Sequence, residues 1–550
     1  MKNYTIGIDF GTLSGRALLV DASDGREVAT AVHDYADGVI DRHLPGGRTL
    51  LPPNWALQNP ADYLEVLRVT IPELLRTSGV DPSLIKGVGI DFTACTFMPA
   101  RRDGTPLCLL PRWADQPHAW PKLWKHHASQ PQADQVNAVA RERGEPWLPL
   151  YGGKISSEWS VPKMLQVLQE APEVYAAAER FMEAGDWVVW QLTGREVRSA
   201  CFAGYKCILT DAGFPGADYF AALDPRFADV VDTRLTRAFR QLGELAGPLS
   251  ERAAALTGLL PGTAVAVANV DAHVTVPAVK VTGSRRMVAI MGTSTCHMLI
   301  GDRLEAVEGM CGVVHGGIVP GVYGYEAGQS CVGDGLGWFV EHAVPESCHA
   351  AARAAGLGIH EHLERESARQ RPGEHGLVAL DWLNGNRSTL VDTDLSGMLL
   401  GVTLATRAPD IYRALIEATA FGTRTIIEAF ERKGVPVDEY VAAGGLPQKN
   451  ALLRQIYADV LGKPVRLAGS AQAPALGSAI YAAVAAGLYP DIHAAAECMG
   501  HIRPEAILPI PANQAIYDRL YDDYRRLYDY FGRGENDAMK RLKAMRGHAA

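Results

Sequence analysis

In Tyr4-Thr-Ile-Gly-Ile-Asp-Phe-Gly-Thr-Leu-Ser-Gly-Arg16 a carboxylate at the end of an apolar strand runs directly into a glycine-bearing turn with two hydroxyls. Those residue types suit phosphate and metal chemistry. Gly11 and Gly15 free the backbone to turn, so N–H groups and the Thr12 and Ser14 hydroxyls can surround phosphate oxygens, while Asp9 meets a hard cation through oxygen. Taken alone, an ordinary hairpin whose Asp and Gly serve only the turn is the simpler reading. The stretch is echoed in Ala289-Ile-Met-Gly-Thr-Ser-Thr-Cys-His-Met-Leu-Ile300, again strand, Gly-Thr turn and strand. Superposing the glycines sets Thr293 on Thr12 and Thr295 on Ser14, but apolar Ile290 on Asp9, so only the first copy can hold a metal. Two facing hairpins could grip a polyphosphate from both sides. Shortly before the second copy, Thr263-Ala-Val-Ala-Val-Ala-Asn-Val-Asp-Ala-His273 reads as a buried strand with Asp271 at its exit, placed to sit near a transferred phosphoryl group. His273 is a rival base, and capping of the next segment is the plainer role for Asp271.

The elements that must position these groups follow from periodicity. Tyr4 to Ile8, Ala17 to Val20 and Glu27 to Tyr35 predict three strands, and Asn59-Pro60 predicts the start of a helix with Leu64, Leu67, Ile71, Leu74 and Leu75 on its apolar face. Ile85 to Ile90 returns as a strand ending in Asp91-Phe-Thr-Ala-Cys-Thr96, a loop at the carboxyl end where open α/β sheets place ligands. From Arg112 to Lys206 the chain is rich in Trp, His and Gly and reads as an inserted lobe. Adjacent His126 and His127 there predict a solvated face rather than a metal site. Asp410 to Gly434 predicts a long helix, Tyr440 to Asn450 a strand and Gly-Gly turn open to a flat base, and Ile516, Leu520, Tyr524, Leu527 and Phe531 an amphipathic C-terminal helix.

A chain of 550 residues exceeds what one core usually supports, so two α/β domains are expected. Its 47% hydrophobic and 21% charged residues are ordinary, and a net charge of −9 argues against nucleic acid as a partner. No apolar run approaches membrane-spanning length, no room precedes the first strand for a signal peptide, and nine cysteines without a C-x-x-C pair fit reduced thiols. A cytoplasmic protein is expected. Neither the P-loop nor the Rossmann glycine pattern occurs, so the paired hairpins must hold any nucleotide.

Asp9-Phe-Gly-Thr12, Met291-Gly-Thr-Ser294 and Ala443-Gly-Gly445 resemble the two phosphate motifs and the adenosine motif of the actin-like ATPases. Asp271 singles out one branch, and the chain resembles the FGGY carbohydrate kinases, in which an aspartate at this place takes the sugar hydroxyl proton. Gly397 to Glu417 nearly matches one family signature. Around Val161-Pro-Lys-Met-Leu-Gln166 the other departs, with Leu165 where tryptophan is usual. Within the family the likeness is to the branch that phosphorylates L-ribulose. It is carried by Asp91 to Thr96, Gly152 to Trp159, Glu326-Ala-Gly-Gln-Ser330, Asn384-Gly-Asn-Arg387 and Glu417 to Arg424. The resemblance implies two actin-like (ribonuclease H-like) ATPase domains, residues 1–275 and 276–550, with a cleft between them. It implies ATP and Mg²⁺, conversion of L-ribulose to ribulose 5-phosphate in L-arabinose degradation, and a homodimer. By the same resemblance Asp271 is the catalytic base and, with Ala94, Trp124, Lys206 and Glu326, surrounds the sugar. Thr12, Ser14, Arg16, Gly292, Thr293, Ser294, Gly444, Gly445 and Asn450 hold the nucleotide, and Asp9 holds the metal. A noncatalytic actin-like filament or chaperone ATPase, and a xylulose or glycerol kinase of the same family, are the alternatives.

Overall fold

The computed structural model describes residues 2–47 and 49–547. In chain order the elements that matter are β1 (Tyr4–Phe10), β2 (Ser14–Asp21), β3 (Glu27–Asp34), α1 (Pro60–Ser78), β4 (Ile85–Phe92), α2 (Ser160–Glu170) and α3 (Ala200–Lys206). Then follow β5 (Leu245–Pro248), β6 (Ala264–Ala266), β7 (Asn269–Val270), α4 (Asp271–Ala278), β8 (Arg285–Met291), β9 (Thr295–Gly301), β10 (Gly312–His315) and β11 (Tyr323–Gln329). The chain closes with α5 (Ala408–Arg432), β12 (Val437–Ala443), β13 (Val465–Ala468), α6 (Ala473–Ala485), β14 (Ile502–Ile507) and α7 (Pro511–Gly532). The predicted start of α1 is observed: the Asn59 side chain accepts from the Ala61 N–H, Pro60 follows, and left-handed Gly79 ends the helix.

Two seven-stranded sheets result. The first runs β3-β2-β1-β4-β6-β5, with β7 also on β4; the second runs β10-β11-β9-β8-β12-β13-β14. In each, an antiparallel meander is extended by parallel strands: β4 beside β1 and β6 beside β4, then β12 beside β8 and β13 beside β12. The order β3-β2-β1-β4-β6 is therefore repeated as β11-β9-β8-β12-β13, the twofold plan of two actin-like domains. Parallel strands need cover on both faces, and β1 is buried along its whole length.

Three apolar cores hold the molecule. One fills the first sheet, a second lies under the second sheet with α5 and α7, and a third unites the lobe from Ile40 to Leu235, wider than the predicted Arg112 to Lys206. The first core crosses between the halves, because α6, from the second half, packs on β1, β4 and α4. Glycines make that seat. A Cβ on Gly7 would lie 1.8 Å from the Ala475 carbonyl oxygen, one on Gly89 2.0 Å from that of Ser478, and one on Gly477 1.9 Å from that of Val274.

Two expectations are corrected. His126 is fully buried rather than solvated: its Nδ1 accepts from the Ala56 N–H at 3.3 Å, Nε2 meets Gln166 Oε1 at 3.1 Å, and its ring stands edge-on to Trp55. On α7 the buried stripe is Tyr517, Tyr521, Tyr524 and Tyr528, with Leu520, Leu527 and Phe531 only partly covered and Ile516 exposed. Tyr524 is in the expected stripe; hydropathy passed over the other three tyrosines, whose hydroxyls, like that of Tyr524, find side-chain partners. Tyr517 donates to Glu417, Tyr521 to Glu428 and Tyr524 to Asp381, while Tyr528 meets Thr389.

Gly89→Ala tests the seat. The added methyl must push α6 off the sheet, so we expect a loss of about 3 kcal/mol in denaturant unfolding, at the upper end of overpacking costs. Gly337→Ala, on a helix with open space around it, should lose nothing. Equal effects would show that the close contact is not what sets the position of α6.

Candidate active site

Parallel pairing of β1, β4 and β7 sets Asp9 opposite Asp91 and Asp91 opposite Asn269, a row across the carboxyl ends of three neighbouring strands. Asp271 begins α4 immediately beyond β7, where its Oδ1 accepts from the Ala272 N–H at 2.7 Å, so the expected strand exit is also a helix start. These carboxylates feel one another. Burial, then the charge of Asp9, pushes the partly exposed Asp271 up to about 7. Burial and Asp9 together raise Asp91 well above the usual carboxylate range. Asp9 is also raised by burial, although Arg16 opposes this from 3.3 Å.

Arg16 and Asp9, expected to serve phosphate and metal separately, are thus an ion pair, and Arg16 also donates to Gln472 Oε1 at the head of α6 at 3.3 Å. Asp91 Oδ2 accepts from Ser478 on α6 at 2.6 Å, while its buried Oδ1 has no hydrogen-bond partner. Crowded carboxylates and an orphaned oxygen fit a hard divalent cation. Among the described residues no group of three His, Cys, Asp or Glu side chains could cage one.

The hairpins stand as predicted. Gly11 N–H donates to the Ser14 carbonyl at 3.0 Å and Gly292 N–H to the Ser294 carbonyl at 2.9 Å, so each glycine closes its turn, the second one residue tighter than the first. Thr12 and Ser14 are partly exposed at the first tip; at the second, Gly292 and Thr293 are exposed and Ser294 partly so. Val332 and Asp334 N–H groups donate to the Thr293 carbonyl and Gly333 N–H to that of Gly292, which brings a helix N-terminus against this tip. Gly444, at φ 97°, lies so close to β8 that a Cβ would sit 2.3 Å from the Met291 carbonyl oxygen, while Gly445 faces open space. Asn450 is buried and caps the following helix, accepting from the Leu453 N–H at 2.8 Å.

Of the expected sugar residues, Lys206 and Glu326 are joined across the two halves. The ammonium at the end of α3 donates to both carboxylate oxygens, at 3.1 and 2.9 Å, and both side chains are nearly inaccessible. Arg387 donates to Glu326 Oε1 at 3.0 Å, and His273 Nε2 lies 3.4 Å from Oε2. Burial alone would raise Glu326, but Lys206, His273 and Arg387 outweigh it and hold the carboxyl well below its usual range. His273 Nδ1 meets Cys201 at 3.3 Å and burial lowers its pKa, so the rival base is occupied elsewhere. Trp124 is 36% exposed, and its indole N–H donates to Thr12 Oγ1 at 3.0 Å, linking the lobe to the first hairpin. Ala94 lies half-buried in the loop after β4, between Thr93 and Thr96, whose hydroxyls meet at 2.9 Å.

Asp91, Arg387 and Ser478 belong to this constellation but were not singled out from the sequence as ligand-binding residues. Asp91 and Arg387 lie in quoted family blocks, and pairing Asp9 with the next parallel strand would have found the first. Ser478 sits in an alanine-rich helix with no local signal. Glu417 of the signature is buried architecture, receiving Arg413, Tyr517 and His375.

Two family models cover most of the chain: FGGY family of carbohydrate kinases, N-terminal domain, over residues 4–276, and the C-terminal domain of the same family over 287–486. The chain is 55% identical to a ribulokinase of Geobacillus thermodenitrificans over 547 residues, 98% of this chain and 97% of the relative. It is also 55% identical to a ribulokinase of Mycolicibacterium smegmatis, across 99% and 97%. Among solved structures, a ligand-bound xylulose kinase from Lactobacillus acidophilus superposes with TM-score 0.79 at 18% identity, covering 96% of this chain and 98% of that one. A glycerol kinase from Plasmodium falciparum with ADP gives 0.74 at 14% identity, again covering 96% and 98%. At such identities the structural likeness speaks for the fold, while the matched models and the end-to-end relatives speak for descent: the chain belongs to the FGGY family of carbohydrate kinases.

Proposed function

We propose that the protein transfers the γ-phosphoryl group of ATP to L-ribulose, giving ribulose 5-phosphate for L-arabinose degradation, with other ketopentoses as further acceptors. The observation that carries the reading is the carboxylate row at the carboxyl ends of β1, β4 and β7, next to the first Gly-Thr hairpin, with Asp271 feeling both Asp9 and the buried Glu326–Lys206 cluster. The relatives named ribulokinase supply the acceptor's identity. The reading divides the chain at 275/276, where α4 leads from one sheet to the other. It also includes a cytoplasmic homodimer, for which exposed Leu400, Val402 and Leu404 offer an apolar edge. No described helix is long and apolar enough to cross a membrane.

Phosphoryl transfer asks little covalent help of a protein, so positioning and charge do the work. Thr12, Ser14 and the Gly292 to Ser294 turn would hold phosphate oxygens, with Arg16 exchanging Asp9 for phosphate, and the Gly444-Gly445 turn and Asn450 would lie on the adenosine side. A magnesium ion held at Asp9, with Asp91 beside it, would neutralise β- and γ-phosphate charge when bound. Ala94, Trp124, Lys206 and Glu326 would orient the pentulose. After its two bonds to Glu326, the Lys206 ammonium keeps one hydrogen for a sugar oxygen. Asp271 would accept the proton of the attacking hydroxyl. A carboxyl poised near 7 when alone with Asp9 is basic enough for that role, and a cation at Asp9 would keep it ionised.

A pentulose panel with product identification tests the acceptor. L-ribulose should stimulate ATP consumption most and yield the 5-phosphate; stimulation by glycerol or D-xylulose alone would overturn the assignment. Asp271→Asn should keep the fold and sugar binding and lower kcat by about 10²–10⁴-fold, the scale of general base catalysis. Near-normal turnover in that variant would remove Asp271 as the base.

A further inference from the structure

Lys163, in the first turn of α2, is 1% exposed, and its hydrogen bonds all go to backbone carbonyls. An ammonium is costly to bury unless every donor is used. Here Nζ donates to the carbonyl oxygens of Cys95 at 2.5 Å, Leu123 at 2.8 Å and Lys122 at 3.4 Å. Those carbonyls lie on two separate loops. Cys95 follows Ala94 and is held at φ 66°, a left-handed conformation that a residue with a Cβ adopts only when its surroundings impose it. Leu123 precedes Trp124, whose indole reaches Thr12 in the first phosphate hairpin. The loops are further joined where Phe97 and Lys122 exchange backbone hydrogen bonds at 3.0 and 2.9 Å.

We propose that Lys163 is a positioning residue for the sugar-facing side of the cleft, one ammonium fixing the Ala94 loop and the Trp124 loop relative to each other and to the first hairpin. The proposal rests on the reading of Ala94 and Trp124 as sugar neighbours. Lys163 touches no substrate in this account. A cluster needed only for stability could be apolar, since buried charge is a poor source of net stability. What the ammonium adds is direction: three carbonyls converging on one point set the course of both loops. Burial draws its pKa down to about 8, against the opposing pull of Cys95 and of the Glu183 and Glu158 carboxylates.

Lys163→Met and Lys163→Arg, each alone and combined with Trp124→Ala, test the idea through KM for L-ribulose, KM for ATP and the folded fraction. The methionine keeps the stem without the donors; the arginine keeps the charge, but its planar fork cannot meet three carbonyls converging on one nitrogen. Both should raise KM for L-ribulose about tenfold or more, the size of effect that a displaced binding loop produces, with KM for ATP within about twofold. In the Trp124→Ala background the Lys163 effect should shrink, because the aligned loop has lost the side chain read as the sugar's neighbour. An unchanged L-ribulose KM in the folded fraction of either variant overturns the proposal, as does full additivity with Trp124→Ala. If Trp124→Ala itself leaves the L-ribulose KM unaltered, the sugar-site reading has failed instead.

Discussion

Helix α6 lies on the first sheet at backbone contact, and the arrangement of the carboxylate row depends on that approach. The helix comes from the second half of the chain, yet it touches β1, β4 and α4, the elements that carry Asp9, Asp91 and Asp271. With side chains at Gly7, Gly89 or Gly477 the backbones could not come so near, and neither the Ser478 bond to Asp91 nor the Gln472 bond to Arg16 could form. Glycine is used here for closeness rather than for an unusual φ: these three have ordinary backbone angles, whereas Gly444, at φ 97°, serves both ends at the second hairpin.

Around this seat the protein keeps two electrostatic environments close together. Asp9, Asp91 and Asp271 form an anionic group in excess of nearby positive charge, with burial raising the proton affinity of all three and the charge of Asp9 adding to it at Asp91 and Asp271. Lys206, Arg387 and His273 surround Glu326, an overcompensated group whose carboxyl stays ionised. The first suits a cation and a proton acceptor; the second suits the hydroxyls of a neutral sugar. The Lys206–Glu326 contact also ties the two halves together directly, so a ligand reaching this cluster meets both domains at once.

Much of this was legible in the sequence. Both hairpins, the capped start of α1, the strand leading to Asp91 and the long helix α5 follow from local patterns, because each is set by neighbours within a few residues. Asp271 was legible for the same reason. What escaped depends on partners far away in the chain. His126 looked like a surface residue until Ala56 and Gln166 closed over it, and Tyr517 and Tyr521 of α7 looked half-polar until Glu417 and Glu428 met their hydroxyls. Ser478 and Lys163 are the clearest cases, a hydroxyl in an alanine-rich helix and a lysine in a degenerate signature whose duties appear only once the loops they hold are in place.

The central claim is that Asp271 faces the hydroxyl that receives the phosphoryl group. A crystal structure with L-ribulose and a nonhydrolysable ATP analogue measures this most directly. The account predicts the C5 hydroxyl within hydrogen-bond reach of an Asp271 oxygen, about 2.6–3.2 Å, with the γ-phosphate held between the Thr12 and Thr293 turns. A sugar bound with its C5 hydroxyl against another side chain, and Asp271 turned away from it, would contradict the account.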